Sequence, residues 1–307
     1  MAAVETVTIT RAKGKGRLGQ WLENNESRLH DLRYSVKLFF KSPLAVLGLI
    51  IVLLFVIVAV IAPYITSYSD TYRNWNNMLK PPSAEHLFGT DNMGGDVLSR
   101  VIWGSRISLS VGLMVVISAF IVGSVLGSLS SYFGGIIDEI VMRVTDVFLA
   151  FPPLILAMVV CAALGRSLEN MMLAMAITWW PTYARIVRGQ SLVIREQKYI
   201  EAAKAIGGRD MHIIIKHMLP NSLSPLIVQA SMDFGNVILT AAALSFIGFG
   251  APPGTAEWGR MVSDGAAYMM SSPWIVMFTG FTILVVCLGF NLLGDGVRDI
   301  IDPKMRR

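Results

Sequence analysis

Asp146, Asp233 and four histidines are the residues of this chain whose types could do chemistry, and their spacing argues against it. His30, His86, His212 and His217 all lie outside the apolar segments. An intramembrane Ser/His protease would therefore lack its base, and there is no HExxH zinc helix. The Gly14-Lys15-Gly16 run has neither the leading strand nor the Ser/Thr of a phosphate loop. If ATP drives this protein, another chain binds it. Asp91, Asn92 and Asp96 do not follow the spacing of an EF-hand and read as turn formers. Cys161 and Cys287 sit inside apolar runs, so no disulfide framework is expected. A charge at the centre of a membrane helix costs ~2.5–3.5 kcal/mol on insertion scales. Asp233 interrupts such an apolar run. It reads either as a translocation-path or gate residue, or as an interfacial residue that is ion-paired or hydrated. No catalytic residue, resident metal or cofactor is expected here.

The elements that must position these groups are set by composition. Hydrophobic residues make up 54% and charged residues 15%, where soluble domains run near ~25% charged. The net charge of +5 does not point to nucleic acid, because the basic residues sit between apolar segments rather than on one face. The first forty residues are polar and basic, so no cleavable signal peptide is expected. A spanning helix needs ~20 apolar residues to cross ~30 Å of hydrocarbon. Six stretches free of Asp, Glu, Lys and Arg approach that length: 42–69, 107–137, 147–165, 170–184, 234–256 and 265–294. The fourth is the weakest and is extended by Ile186 and Val187 if Arg185 snorkels, with Trp179, Trp180 and Tyr183 as an aromatic anchor. Pro152-Pro153 and Pro181 predict helix bends. Gly123, Gly127, Ser128 and Ser131 predict close helix contact.

Six spans put both termini on one side, and lysine plus arginine choose it. The N-tail carries eight, the 185–220 loop seven, the C-tail four and Arg143 one more, against six on the other side. The positive-inside bias predicts a cytoplasmic tail over 1–41, a six-span domain over 42–294, and a cytoplasmic tail over 295–307. Within the span domain, 66–106 is predicted to be external and 185–220 cytoplasmic.

The cytoplasmic loop is the most informative segment. Tyr199, Ala203 and Ile206 recur as one stripe of a short helix. Gly207-Gly208 stops it. Asp210 is a candidate N-cap for a second helix whose stripe is Met211, Ile214, Ile215 and Met218, and Pro220 marks entry into the fifth span. Periodicity alone leaves this segment open between a membrane-surface linker and a rigid docking element.

Glu201-Ala202-Ala203, then three residues, Gly207, nine residues, and His217 two before Leu219-Pro220 resemble the EAA motif of ABC importer permease subunits. His86–Leu109 resembles the stretch before span two in the C-type permeases of the dipeptide/oligopeptide/nickel family, which usually have Arg where this chain has Gly95. Asn291–Pro303 is similar to that family's terminal signature. The resemblance implies an all-α permease in the inner membrane of a prokaryote. It implies that Glu201, Ala202, Ala203, Gly207, Asp210, Leu219 and Pro220 couple it to an ATPase. The implied partners are a second homologous permease, two cytoplasmic ATPase subunits that bind ATP and magnesium, an external solute-binding protein, and membrane lipid. An ion-gradient transporter, which would show inverted repeats and paired broken helices, and a scaffold docking a cytoplasmic protein are the alternatives.

Overall fold

A computed structural model describes residues 36–301. Most of the 1–41 tail, and the Asp302-Pro303 end of the terminal signature, lie outside the described residues. Those described are helical apart from loops and one isolated bridge, Thr90 to Asp96.

Helix α1, Pro43–Ile65, starts where Ser42 accepts a hydrogen bond from the Ala45 N–H and Pro43 takes the first turn. Helix α2, Val97–Phe133, begins ten residues ahead of the apolar run that suggested it, which shortens the 66–106 loop. Asp96 sets that start by accepting from the Ser99 N–H at 2.7 Å. Gly134 and Gly135, both at positive φ, turn the chain into α3, Gly135–Leu149. Helix α4, Pro153–Leu164, follows at 95°. The 147–165 run is therefore not a single helix. Pro152, extended at ψ 128°, and Pro153 in the first turn start a new helix here rather than continue α3.

Helix α5, Leu168–Arg195, continues through Pro181 and absorbs the first eleven residues of the loop expected over 185–220. Two short helices, α6 (Lys198–Ala205) and α7 (Asp210–Ile213), and a π-helical turn, Ile214–Met218, lead into α8, Leu219–Ile247. Helix α8 ends at Gly248, φ +96°, well short of 256. Helix α9, Trp258–Ala266, and a turn precede α10, Trp274–Ile301, so the last apolar run is helical from 274 rather than 265.

Among the described residues, four helical segments are long and apolar enough to cross a membrane: α1, α2, the Asp210–Ile247 stretch and α10. The α3–α4 pair makes five if it counts as one bent span. The weak fourth stretch, now α5, has the length but carries Glu169, Arg185, Arg188 and Arg195. Its charges stay off its packed face: Glu169 and Arg185 are exposed, while Met171, Met175, Tyr183, Ala184 and Val187 are fully buried against α2, α4 and α8. Its lower charges are paired, with Arg188 forked onto Asp138 at 2.5 and 2.6 Å and Arg185 on Asp146 at 2.5 Å.

The seam between α2 and α5 depends on small residues, as the 123–131 spacing predicts. A Cβ at Gly123 would lie 2.7 Å from the Trp180 carbonyl oxygen, and one at Gly127 would lie 2.9 Å from Val187 Cβ. Only glycine lets these backbones approach so closely. Gly280 on α10 has open space where its Cβ would be. Gly123→Ile is expected to destabilise the detergent-solubilised protein by about 3 kcal/mol through overpacking, with a clear loss in thermal melting, while Gly280→Ile leaves the melt unchanged.

Candidate functional site: the elbow between α5 and α8

The segment 196–218 forms an elbow with one face locked and one face bare. Helix α6 ends in a Schellman turn: the Gly207 N–H donates to the Lys204 carbonyl and the Gly208 N–H to the Ala203 carbonyl, each at 3.0 Å. Gly207 sits at φ +78°, which a side chain would strain, and a Cβ at Gly208 would lie 2.6 Å from the Ala203 oxygen. The expected glycine stop is borne out in its geometry.

The locked face packs on the end of α2. Ile200, Ile213, Ile214 and Met218 are buried around the ring of Tyr132, whose hydroxyl donates to Asp210 Oδ1 at 2.5 Å. The Lys204 ammonium lies 4.9 Å from the centre of the same ring. The Arg195 guanidinium donates to the Ser131 carbonyl at 2.9 Å. Burying each of these aliphatic side chains is worth about 2 kcal/mol, so the elbow moves with α2 rather than as a free loop.

The bare face corrects the expected stripes. Ile206 is 86% exposed, Ile215 60%, Met211 53% and Tyr199 44%; Ile200 and Ile213 are buried instead. The π turn is the physical reason in the second helix. Its wider i→i+5 spacing brings Ile213 and Met218 onto one side, where an α-helix would pair Met211 and Ile214 with Met218. Asp210 is not the N-cap. Arg209 holds that position, and Asp210 sits in the first turn with its carboxylate on Tyr132. Glu201, Ala202 and Ala205 face outward, Ala203 is half-buried, and a polar cleft of about 310 Å³ lies between Arg195, Glu196, Glu201 and Lys204. Leu219 and Pro220 form the first turn of α8. Tyr132 was missed because no periodicity links it to residues nearly eighty positions later; its only signal is an aromatic hydroxyl at the end of an apolar helix.

Asp233 lies apart from the elbow. It is 6% exposed on α8, accepts from Gln229 Nε2 at 3.1 Å and neighbours Tyr183 of α5. The groove between α1 and α2 is lined by its neighbour Phe234 rather than by Asp233. At the far end of α2, Asp91 accepts from the Met93 and Gly95 N–H groups at 2.8 Å and from Arg100, a turn-forming role. Gly95 is fitted to that turn, since a Cβ there would stand 2.9 Å from Asp91 Oδ2.

Residues 119–307 match the family described as the binding-protein-dependent transport system inner membrane component. Residues 32–82 match the N-terminal transmembrane domain of oligopeptide transport permease C. The chain belongs to this family of transport permeases. It is 46% identical over 284 residues to the dipeptide transport system permease protein DppC of Alkalihalophilus pseudofirmus, covering 92% of this chain and 93% of that one. It is 48% identical over 263 residues to a probable D,D-dipeptide transport system permease protein, DdpC, of Escherichia coli, covering 86% and 88%. The glutathione transport system permease protein GsiD of Pectobacterium atrosepticum is 40% identical over 269 residues, covering 87% and 89%. An inward-facing MetNI methionine ABC transporter structure has a chain of similar fold, with a TM-score of 0.53 at 20% identity, covering 66% of this chain and 97% of that one. The protein is thus a multi-pass inner-membrane permease, as its resemblance implied, and the ion-gradient and scaffold alternatives fall away.

Removing the Tyr132 hydroxyl should loosen the elbow without unfolding the helices. Tyr132→Phe is expected to cost about 1 kcal/mol, read as roughly fivefold faster amide exchange across 198–213 with the α2–α5 seam unchanged. Gly207→Ala is expected to cost about 1–2 kcal/mol from the left-handed backbone, with faster exchange confined to the same residues.

Proposed function

We propose that this chain is the membrane-spanning subunit of an ATP-driven importer for dipeptides or related small peptides. It contributes no catalytic group. Hydrolysis resides in two ATPase subunits bound on the cytoplasmic side, a second homologous permease completes the pathway, and an external solute-binding protein delivers cargo. The chain crosses the bilayer six times, with α3–α4 and α5 as crossings three and four, and both termini are cytoplasmic. The lysine and arginine asymmetry supports that orientation.

The observation that carries this reading is the two-faced elbow. Its inner face is fixed to α2, while Ile206 and Met211 stand exposed beside Ala202 and Ala205 on the outer one. An apolar patch with a charged rim on a polar segment marks a protein-docking surface. Glu201, Ala202, Ala203 and Gly207 provide the docking face and its turn, and Asp210, Leu219 and Pro220 join it to α2 and α8. ATP binding closes the ATPases and draws the elbows together, and the pull reaches the spans through the end of α2. Hydrolysis then resets the cycle, which is alternating access between two states of different partner affinity.

Peptide uptake into proteoliposomes carrying the partner subunits tests this. ATP-dependent uptake is expected with the wild-type chain and should be abolished by Gly207→Leu or Ala202→Trp in a protein that still folds; uptake that ignores ATP would contradict the reading. A gate role for Asp233 is supported by a buried carboxylate within α8. Asp233→Asn is expected to lower both uptake and coupled ATP hydrolysis, and unchanged rates would remove that role.

A further inference from the structure

Helix α2 is held at both ends. Its 37 residues contain no proline and extend about 55 Å, well beyond the ~30 Å hydrocarbon layer. Its C-terminal end is seated in the elbow through Tyr132 and Ser131. Its first turns are clasped by loops from two distant parts of the chain. Arg100, 3% exposed, donates through Nη1 to Asp91 and through Nη2 to the carbonyl oxygens of Gly254 at 2.9 Å and Thr255 at 3.1 Å. The indole of the fully buried Trp258 donates to the Val101 carbonyl at 3.0 Å. The Ser108 hydroxyl accepts from the Trp258 N–H at 3.3 Å. Glu257, 2% exposed, accepts from the Gly259 and Arg260 N–H groups at 2.9 and 2.8 Å. Burial pushes its carboxyl up from the ordinary range, against the pull of those donors.

We propose that Arg100 is a positioning residue for transport: it fastens the outer loops around Asp91 and Gly254–Glu257 to α2, and α2 carries their state to the elbow as a strut. The inference rests on the importer reading above. Its physical basis is the fork. A guanidinium bound at once to a carboxylate and two carbonyls from another loop cannot slide along them, as a single flexible ammonium could. An axial or rotational shift of α2 must therefore drag the outer loops with it, and a shift of those loops must move the Tyr132 end. The unbroken hydrogen-bond ladder of α2 leaves no joint at which the motion is lost. Docking of the solute-binding protein outside and the ATPase state inside then bias one another through this helix, as reciprocal coupling requires.

The test uses the assembled complex in nanodiscs, with ATP hydrolysis measured with and without loaded solute-binding protein. Arg100→Lys is expected to keep the binding-protein-free rate and lose most of the stimulation, at least fivefold. Tyr132→Phe, on the helix about 48 Å away, is expected to weaken the same stimulation. The two sites are too far apart to interact directly, so independent effects would multiply. The strut instead requires that the double variant be no worse than the more affected single one. Trp258→Phe, which removes the bond to Val101 along with part of the buried ring, replaces Arg100→Lys should that variant fail to assemble. Multiplying effects, or full stimulation in both outer-end variants, would overturn the inference. A wild-type complex without binding-protein stimulation would instead count against the importer reading itself.

Discussion

One aromatic ring ties the elbow to the bundle. Tyr132 lies in the last turn of α2. Its ring gives Ile200, Ile213, Ile214 and Met218 a surface to bury against, its face meets the Lys204 ammonium, and its hydroxyl meets Asp210. Without it, α6 and α7 are eight and four residues long, too short to hold helical form alone in water. The rigidity that the proposed lever requires is therefore supplied by tertiary packing against α2.

The rest of the bundle serves to keep that helix in register. Close backbone approach at Gly123 and Gly127 sets α5 directly alongside α2. The elbow thus hangs from α5 while resting on α2, and the two cannot move apart without opening a glycine-lined seam. Arg188 on Asp138 and Arg185 on Asp146 brace α3 against α5 at the same level. The Arg188–Asp138 pair is only partly exposed and well aligned, so it resists rearrangement more than a free surface pair does. The outcome is a stiff end of the bundle on which the outward face of the elbow stands exposed.

Much of this was legible in the residues, and the exceptions have physical causes. The spans α1 and α10 declared themselves because lipid-facing helices must be apolar all round. Helix α5 did so weakly, because it buries one face in protein and carries Arg185 and Arg188 off that face, each paired with an aspartate of α3 that the local sequence does not reveal. The Gly207-Gly208 turn was readable from local chemistry, as a Schellman turn needs nothing distant. The faces of α6 and α7 were not. Which of Tyr199 or Ile200 is buried depends on where Tyr132 arrives, and a π turn after Ile213 shifts the register that a period of 3.6 assumes. The early start of α2 was hidden for a related reason. Arg106 ends the charge-free run, and Arg100 fits inside a helix only once its carboxylate and carbonyl partners, some far along the chain, are in place.

The bare side of the elbow is proposed as an ATPase-docking surface on the cytoplasmic side. A photo-crosslinking side chain at Ile206, in the complex purified gently from its own membrane, tests it most directly. A dominant adduct is expected between this chain and the nucleotide-hydrolysing subunit, with a yield that changes between ATP-bound and nucleotide-free states. Adducts with lipid alone, or labelling of position 206 by a reagent confined to the outside of intact cells, would contradict it.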